Sequence, residues 1–273
     1  MPILTSIESL DKANIIETQN RPIIIHASDL NFYYCKYHYF AGTAHRLFKE
    51  YLIGSFLDCW QLKHSPISLI EVLPEHIPSD LTIPRNRFDV PCFGLQKLEN
   101  AFDLNQLTEN LLEKSRNNIE LKADLIKLAF FDIWISNEDR HLNNYNILVK
   151  LDSRKYTIYP IDHEACFNSQ NLENGLYQIT FEDSLIYSTL FSKLFKINEF
   201  SNKARTENLK ESFYLCTLNC RRHLKSFLEN IPAGWSVDIA KKEEELHQYL
   251  LNKNWFEECW HTFLDFLQYF TDQ

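Results

Sequence analysis

The chain has 273 residues, 45% of them hydrophobic and 24% charged, which suits a globular protein of one large domain or two lobes sharing a cleft. That length buries a core without help from disulfides or a structural metal. A formal net charge of −9, with no run of five like charges and no basic tail, argues against general binding to nucleic-acid phosphates.

Residues 21–26 (RPIIIH) and 32–40 (FYYCKYHYF) are rich in β-branched and aromatic side chains, and the turn-like stretch Ala27 to Asn31 between them predicts a β-hairpin. In 43–62 the residues Leu47, Tyr51, Phe56, Leu57 and Trp60 recur near helical spacing. Strands are expected at 67–73 and 91–96, with a Pro-rich loop over 74–91 and a connector near 97–103. From about residue 104 the period becomes helical, giving two helices interrupted at Ser115 to Asn118. Short strands at 146–150 and 156–161 flank a turn at Asp152–Arg154, and two further helices cover 205–229 and 238–270, separated by a loop holding Pro232 and Gly234. The seven cysteines are an odd number set mostly in apolar runs, which fits reduced thiols in a cytoplasmic protein. The N-terminus carries acidic residues and no long apolar stretch, so neither a signal peptide nor a membrane span is expected.

The segment Asn137-Glu138-Asp139-Arg140-His141-Leu142-Asn143-Asn144 carries the chemistry. It ends the apolar helix LIKLAFFDIWIS and precedes the strand NILV. An Asp followed five positions later by an Asn is the spacing of a phosphotransfer loop: the Asp orients or deprotonates the attacking hydroxyl and the Asn holds a metal ion. Asp162, 18 residues beyond Asn144 at the end of a second apolar strand, is a carboxylate suited to Mg²⁺, which takes one or two such ligands beside phosphate oxygens. Lys36 lies inside an apolar strand, where an ammonium needs a partner or a cleft, and Glu50 lies in the helix that follows. A strand Lys paired with a helix Glu positions the α- and β-phosphates in kinase-type enzymes.

Each residue also has a plain reading. Lys36 can be an edge-strand solubility residue, and Glu50 can pair on the surface with Lys49. His141 is either a proton acceptor or a structural residue bonding backbone near Asp162. Arg140 either neutralises a phosphate or pairs with Glu138. Glu164 is either a second metal ligand or a loop carboxylate. Cys216, Cys220 and His223 have near-metal spacing, but no fourth ligand is evident and the helix itself needs small apolar residues. Trp235, Trp255 and Trp260 read as core.

On these residues the chain resembles the HipA-like kinase domain family and, more distantly, the phosphatidylinositol 3/4-kinases, which carry the Asp-Arg-His-x-x-Asn string seen here as Asp139 to Asn144. The resemblance extends from Arg21-Pro22, Asp29, Lys36 and Glu50 through Ile161-Asp162-His163-Glu164 to Ile231-Pro232-Ala233-Gly234-Trp235. It implies an α+β, two-lobed protein-kinase-like fold: a small β-rich N-lobe over 1–97 that binds ATP, and a larger helical C-lobe over 98–273 with the catalytic loop and the metal-binding Asp. It implies Mg-dependent phosphoryl transfer from ATP to a protein Ser or Thr hydroxyl. Asp139 is then the catalytic aspartate, supported by Asn144 and His141, with Asn144 and Asp162 on magnesium. ATP would be met by Lys36, Glu50, Gln19, Asn20 and Arg21, and its adenine by Phe93, Gln96 and Leu98.

The chain departs from the family pattern at Glu17 to Arg21 (ETQNR), which has no glycine where a phosphate loop is expected, so weak ATP affinity is anticipated. Some members of the family are toxins of toxin–antitoxin modules; the extra N-terminal subdomain expected of those is missing here, and a partner chain can supply it. Two other functions fit the same spacing. One is a small-molecule or lipid kinase, although aminoglycoside-type phosphotransferases carry a His where Asn137 stands. The other is a catalytically silent nucleotide-binding scaffold. Ser and Thr residues in 168–189 fall where an activation segment is expected.

Overall fold

The computed structural model describes residues 3–18, 20–39, 42–104, 118–152, 155–200 and 203–272. The chain divides into two compact units. The first comprises 1–55, 65–99 and 226–239; the second comprises 56–64, 100–225 and 240–273.

The first unit is built on a five-stranded sheet. Its strands are β1 (Ile3–Thr5), β2 (Ile23–His26), β3 (Phe32–Lys36), β4 (Ile67–Glu71) and β5 (Cys92–Gln96), in the order β1-β4-β5-β3-β2. The β2–β3 hairpin pairs Ile23 with Cys35, and β3 pairs Lys36 with Phe93 of β5. β1 lies parallel to β4, and a bridge between Ser6 and Ala27 brings the two edges of the sheet together, so it curls. Alternation along β2 and β3 buries Ile23, Ile25, Tyr33 and Cys35 in one core with Ile70, Val72, Phe88 and Cys92. β5 carries Gly94 because there is no room for a side chain: a Cβ there would lie 2.6 Å from Ile70 Cδ1 and 3.2 Å from Tyr33 Cδ1. Helix α1 (His45–Cys59) follows β3. Trp235 is fully buried, donates from Nε1 to the Pro91 carbonyl at 2.7 Å and meets Tyr51 of α1 edge-on.

The second unit holds a three-stranded sheet of β6 (Ala101–Asp103), β7 (Ile147–Asp152) and β8 (Lys155–Pro160) in that order, all antiparallel. Its helices are α2 (Ile119–Trp134), α3 (Thr189–Leu194), α4 (Lys203–Leu228), α5 (Ile239–Glu245) and α6 (Lys253–Thr271). The apolar run of α2 drives the packing. Phe130 stacks on Phe213 of α4 and meets Phe256, Trp260 and Phe263 of α6 at ring separations of 4.9–5.7 Å. Trp60 packs on Phe130, Phe131 and Trp134 in the same cluster. Two indoles fix the helix ends: Trp255 Nε1 donates to the Trp134 carbonyl at 2.8 Å and Trp134 Nε1 to the Leu250 carbonyl at 3.2 Å. Trp235, Trp255 and Trp260 are all core.

Several boundaries differ from expectation. The strand expected over 32–40 ends at Lys36. The helix expected over 238–270 is interrupted: a π turn spans Leu246–Leu250, and Asn252, whose side chain accepts from the Trp255 amide at 2.9 Å, starts a new helix. β1 and β6 were not anticipated; each is three residues long, too short for alternation to register. The first of the two helices expected beyond residue 104 falls on 105–117, outside the described residues, as do the last two positions of the Asp152–Arg154 turn. No described helix is long and apolar enough to cross a membrane.

Candidate active site

In the second unit the segment between α2 and β7 is held from beneath by one buried arginine. Arg140 is fully buried. Its Nη1 pairs with Asp132 Oδ1, its Nε donates to the Tyr145 carbonyl at 3.1 Å, and its Nη2 donates to the Ile161 carbonyl at 2.9 Å and lies 3.2 Å from His163 Nε2. One guanidinium therefore ties the end of α2, the exit of the loop and the residue before Asp162 together, a task its planar fork of donors suits. Neither sequence reading of Arg140 holds: a fully buried cation whose donors are already engaged is not offered to a phosphate, and its partner is Asp132. Glu138 instead accepts from Asn168 Nδ2 at 3.1 Å.

Asn137 extends the anchor. Its Nδ2 donates to Asp132 Oδ1 at 2.9 Å, and its Oδ1 accepts from the Asp139 amide at 3.3 Å. Asp132 Oδ2 is buried without a hydrogen bond. Burial pushes the Asp132 carboxyl up to about 6, against the opposing pull of Arg140 and Asn137.

Asp139 is partly exposed on this base. Asn146 Nδ2 donates to its Oδ2 at 3.0 Å and to its carbonyl at 3.4 Å. His141 and Asn144 close a tight turn through two backbone hydrogen bonds of 3.0 and 3.1 Å. His141 Nδ1 accepts from the Asn143 amide at 3.2 Å, so its ring engages the loop's own backbone. The contact to backbone beside Asp162 that was one reading of His141 is made by Arg140. The Asn144 side chain makes no hydrogen bond among the described residues.

Asp162 stands one residue past the Ile161 amide, which donates to the Asn146 carbonyl at 2.9 Å. Its φ of +54° is a left-handed conformation that Asp tolerates better than most residues. One carboxylate oxygen of Asp162 and one of Glu164 lie within 4.8 Å of each other. Paired carboxylates offer the hard oxygen ligands that a divalent magnesium ion takes. Beyond it, Phe167, Asn168 and Ser169 are all left-handed, and the Phe167 and Asn168 amides donate to the Ile135 and Ser136 carbonyls at 2.8 and 2.9 Å. The segment after Asp162 is thus pinned to the start of the loop.

In the first unit Lys36 Nζ donates to Glu50 Oε1 at 2.6 Å, with side-chain exposures of 17% and 4%. The two residues meet, and Glu50 is not a surface partner of Lys49. Asn20 and Arg21 follow a tight turn; Gln19 lies outside the described residues. Arg21 has a φ of +42°, donates from Nη2 to Thr82 Oγ1 at 3.1 Å, and has its Nε buried without a hydrogen bond. Arg46 and Arg87 stand 5.7 and 5.2 Å from the ring centre of Tyr39. Phe93 is buried in β5, Gln96 donates its amide to the Pro66 carbonyl at 2.9 Å, and Leu98 is half-buried just beyond the strand.

Asp132, Asn146 and His163 were missed by sequence reasoning. A signal existed for Asp132, a carboxylate in the middle of the apolar run FFDIW that demands a buried partner. Asn146 had none, because its role depends on a backbone turn.

The fold is one that a solved kinase shares. The solved structure of the Helicobacter pylori proinflammatory kinase CtkA superposes with a TM-score of 0.52 at 13% identity, over 99% of this chain and 98% of that one, a likeness of fold. The family described as HipA-like kinase matches residues 12–258, and the chain belongs to that family. No curated protein matches.

Proposed function

We propose that the chain is a magnesium-dependent kinase that moves the γ-phosphoryl group of ATP to a protein serine or threonine hydroxyl. The observation that carries this reading is the loop: an aspartate presented on a buried Arg140–Asp132 anchor, with its carboxylate hydrogen-bonded by Asn146. The acceptor oxygen attacks the γ-phosphorus, the bond from that phosphorus to the β–γ bridging oxygen breaks, and the hydroxyl proton passes to the Asp139 carboxylate. Asn144 and Asp162, with Glu164 beside Asp162, would hold magnesium, whose charge offsets that of the phosphates. Lys36, held by Glu50, offers its ammonium to the α- and β-phosphates. Phe93, Gln96 and Leu98 would meet the adenine. The protein hydroxyl as acceptor comes with the family resemblance, and the intracellular setting with the odd number of cysteines set in apolar runs.

The test is Asp139→Asn. It is expected to abolish transfer from γ-labelled ATP while leaving nucleotide binding and the unfolding midpoint unchanged. Transfer at the wild-type rate would refute the assignment.

A further inference from the structure

Asn146 is two residues past the asparagine that completes the phosphotransfer spacing, and no part of that spacing calls for it. Three bonds fix it. Its Nδ2 donates to Asp139 Oδ2 at 3.0 Å and, at 3.4 Å, to the Asp139 carbonyl, while its own carbonyl accepts from the Ile161 amide at 2.9 Å. Its φ of +46° is left-handed, so the residue must combine tolerance of that conformation with a side-chain donor. Glycine meets the first need only, and most other side chains meet neither. Asparagine meets both.

We propose that Asn146 is a positioning residue that sets the plane of the Asp139 carboxylate, an assignment that rests on Asp139 being the catalytic aspartate. A carboxylate turns readily about its last bond. A donor on Oδ2 stops that rotation and directs Oδ1, which accepts no hydrogen bond among the described residues, to the acceptor hydroxyl and its proton. Because the Asn146 carbonyl also holds the Ile161 amide, the orientation of Asp139 is coupled to the strand end that carries Asp162.

The test uses two substitutions that keep the backbone possible. Asn146→Gly accepts the positive φ without strain and deletes the amide; Asn146→Asp keeps the size and tolerates the φ, but turns an acceptor towards Oδ2. Turnover is read as labelled inorganic phosphate released from γ-labelled Mg-ATP, with water as acceptor. Both variants are expected to keep the wild-type unfolding midpoint and, to within about twofold, the KM for ATP, while kcat falls about 10- to 100-fold, the scale of a misplaced reacting group.

Wild-type kcat in Asn146→Gly beside an inactive Asp139→Asn would overturn the positioning role alone. So would a loss of kcat that tracks a lowered midpoint in both variants. Equal turnover by Asp139→Asn and wild type, or no turnover by either, would instead overturn the catalytic-aspartate reading, and the positioning role with it.

Discussion

Replacing Arg140 by methionine removes the only cation among the described residues that pairs with Asp132, a carboxyl that is 1% exposed. In the wild type burial already raises Asp132 from 3.8 to about 6. The folded protein therefore holds that proton more tightly than the unfolded chain does. The stability it contributes is complete below 3.8, declines as pH rises towards 6, and is constant above. Without Arg140 the buried carboxyl stays protonated further up the scale, so the decline continues through neutrality at about 1.4 kcal/mol per pH unit. The stability gap between wild type and variant should thus widen by up to about 2 kcal/mol between pH 6 and pH 8. A pH-independent loss of about 1–3 kcal/mol adds to it, because the Tyr145 carbonyl loses its donor. Urea unfolding followed by tryptophan fluorescence at pH 6, 7 and 8 measures the gap, provided the slopes with denaturant agree. Adding Asp132→Asn to the variant should flatten the pH dependence. A gap that does not change between pH 6 and 8 would refute the claim that Arg140 serves the Asp132 charge.

Burial also pushes the thiols of Cys35, Cys220 and Cys259 up and that of Cys92 to about 12, so they stay protonated after the unfolded chain's thiols ionise near 9. Stability is full below 9 and falls as pH rises above it, by about 1.4 kcal/mol per thiol at pH 10, and a thermal midpoint equal at pH 8 and pH 10 would contradict this. Gly94→Ala places a methyl against Ile70 and Tyr33 and should destabilise the fold by about 1–3 kcal/mol in urea unfolding; a neutral result would mean that β5 has room.

The strands of the first unit were legible because each side chain there answers to one requirement. Ile23, Ile25, Tyr33 and Cys35 alternate inward and so announce their sheet. The Asp139 to Asn144 spacing stood out for a different reason: it sets an Asp and an Asn at a fixed offset between an apolar helix and a strand. The interior of the loop was not legible. Arg140 reads from sequence as a phosphate ligand or a partner of Glu138 because nothing nearby in the chain shows that Asp132, eight residues back, faces it from the last turns of a helix. Asn146 reads as one asparagine among several in Asn143-Asn144-Tyr145-Asn146, and only its left-handed backbone turns it onto Asp139. The break before α6 was hidden because the apolar period runs on through Leu250 and Leu251 into Trp255, while the cap that restarts the helix is a single asparagine.

The most direct measurement of the central claim is transfer of label from γ-labelled ATP with Mg²⁺ into a host lysate, wild type against Asp139→Asn, with protein, lipid and small-molecule fractions counted separately. The account predicts label in protein, on serine or threonine, that disappears with Asp139→Asn. Asp139-dependent label confined to lipid or small molecules would contradict the acceptor class, and no Asp139-dependent label in any fraction would contradict the proposed kinase mechanism.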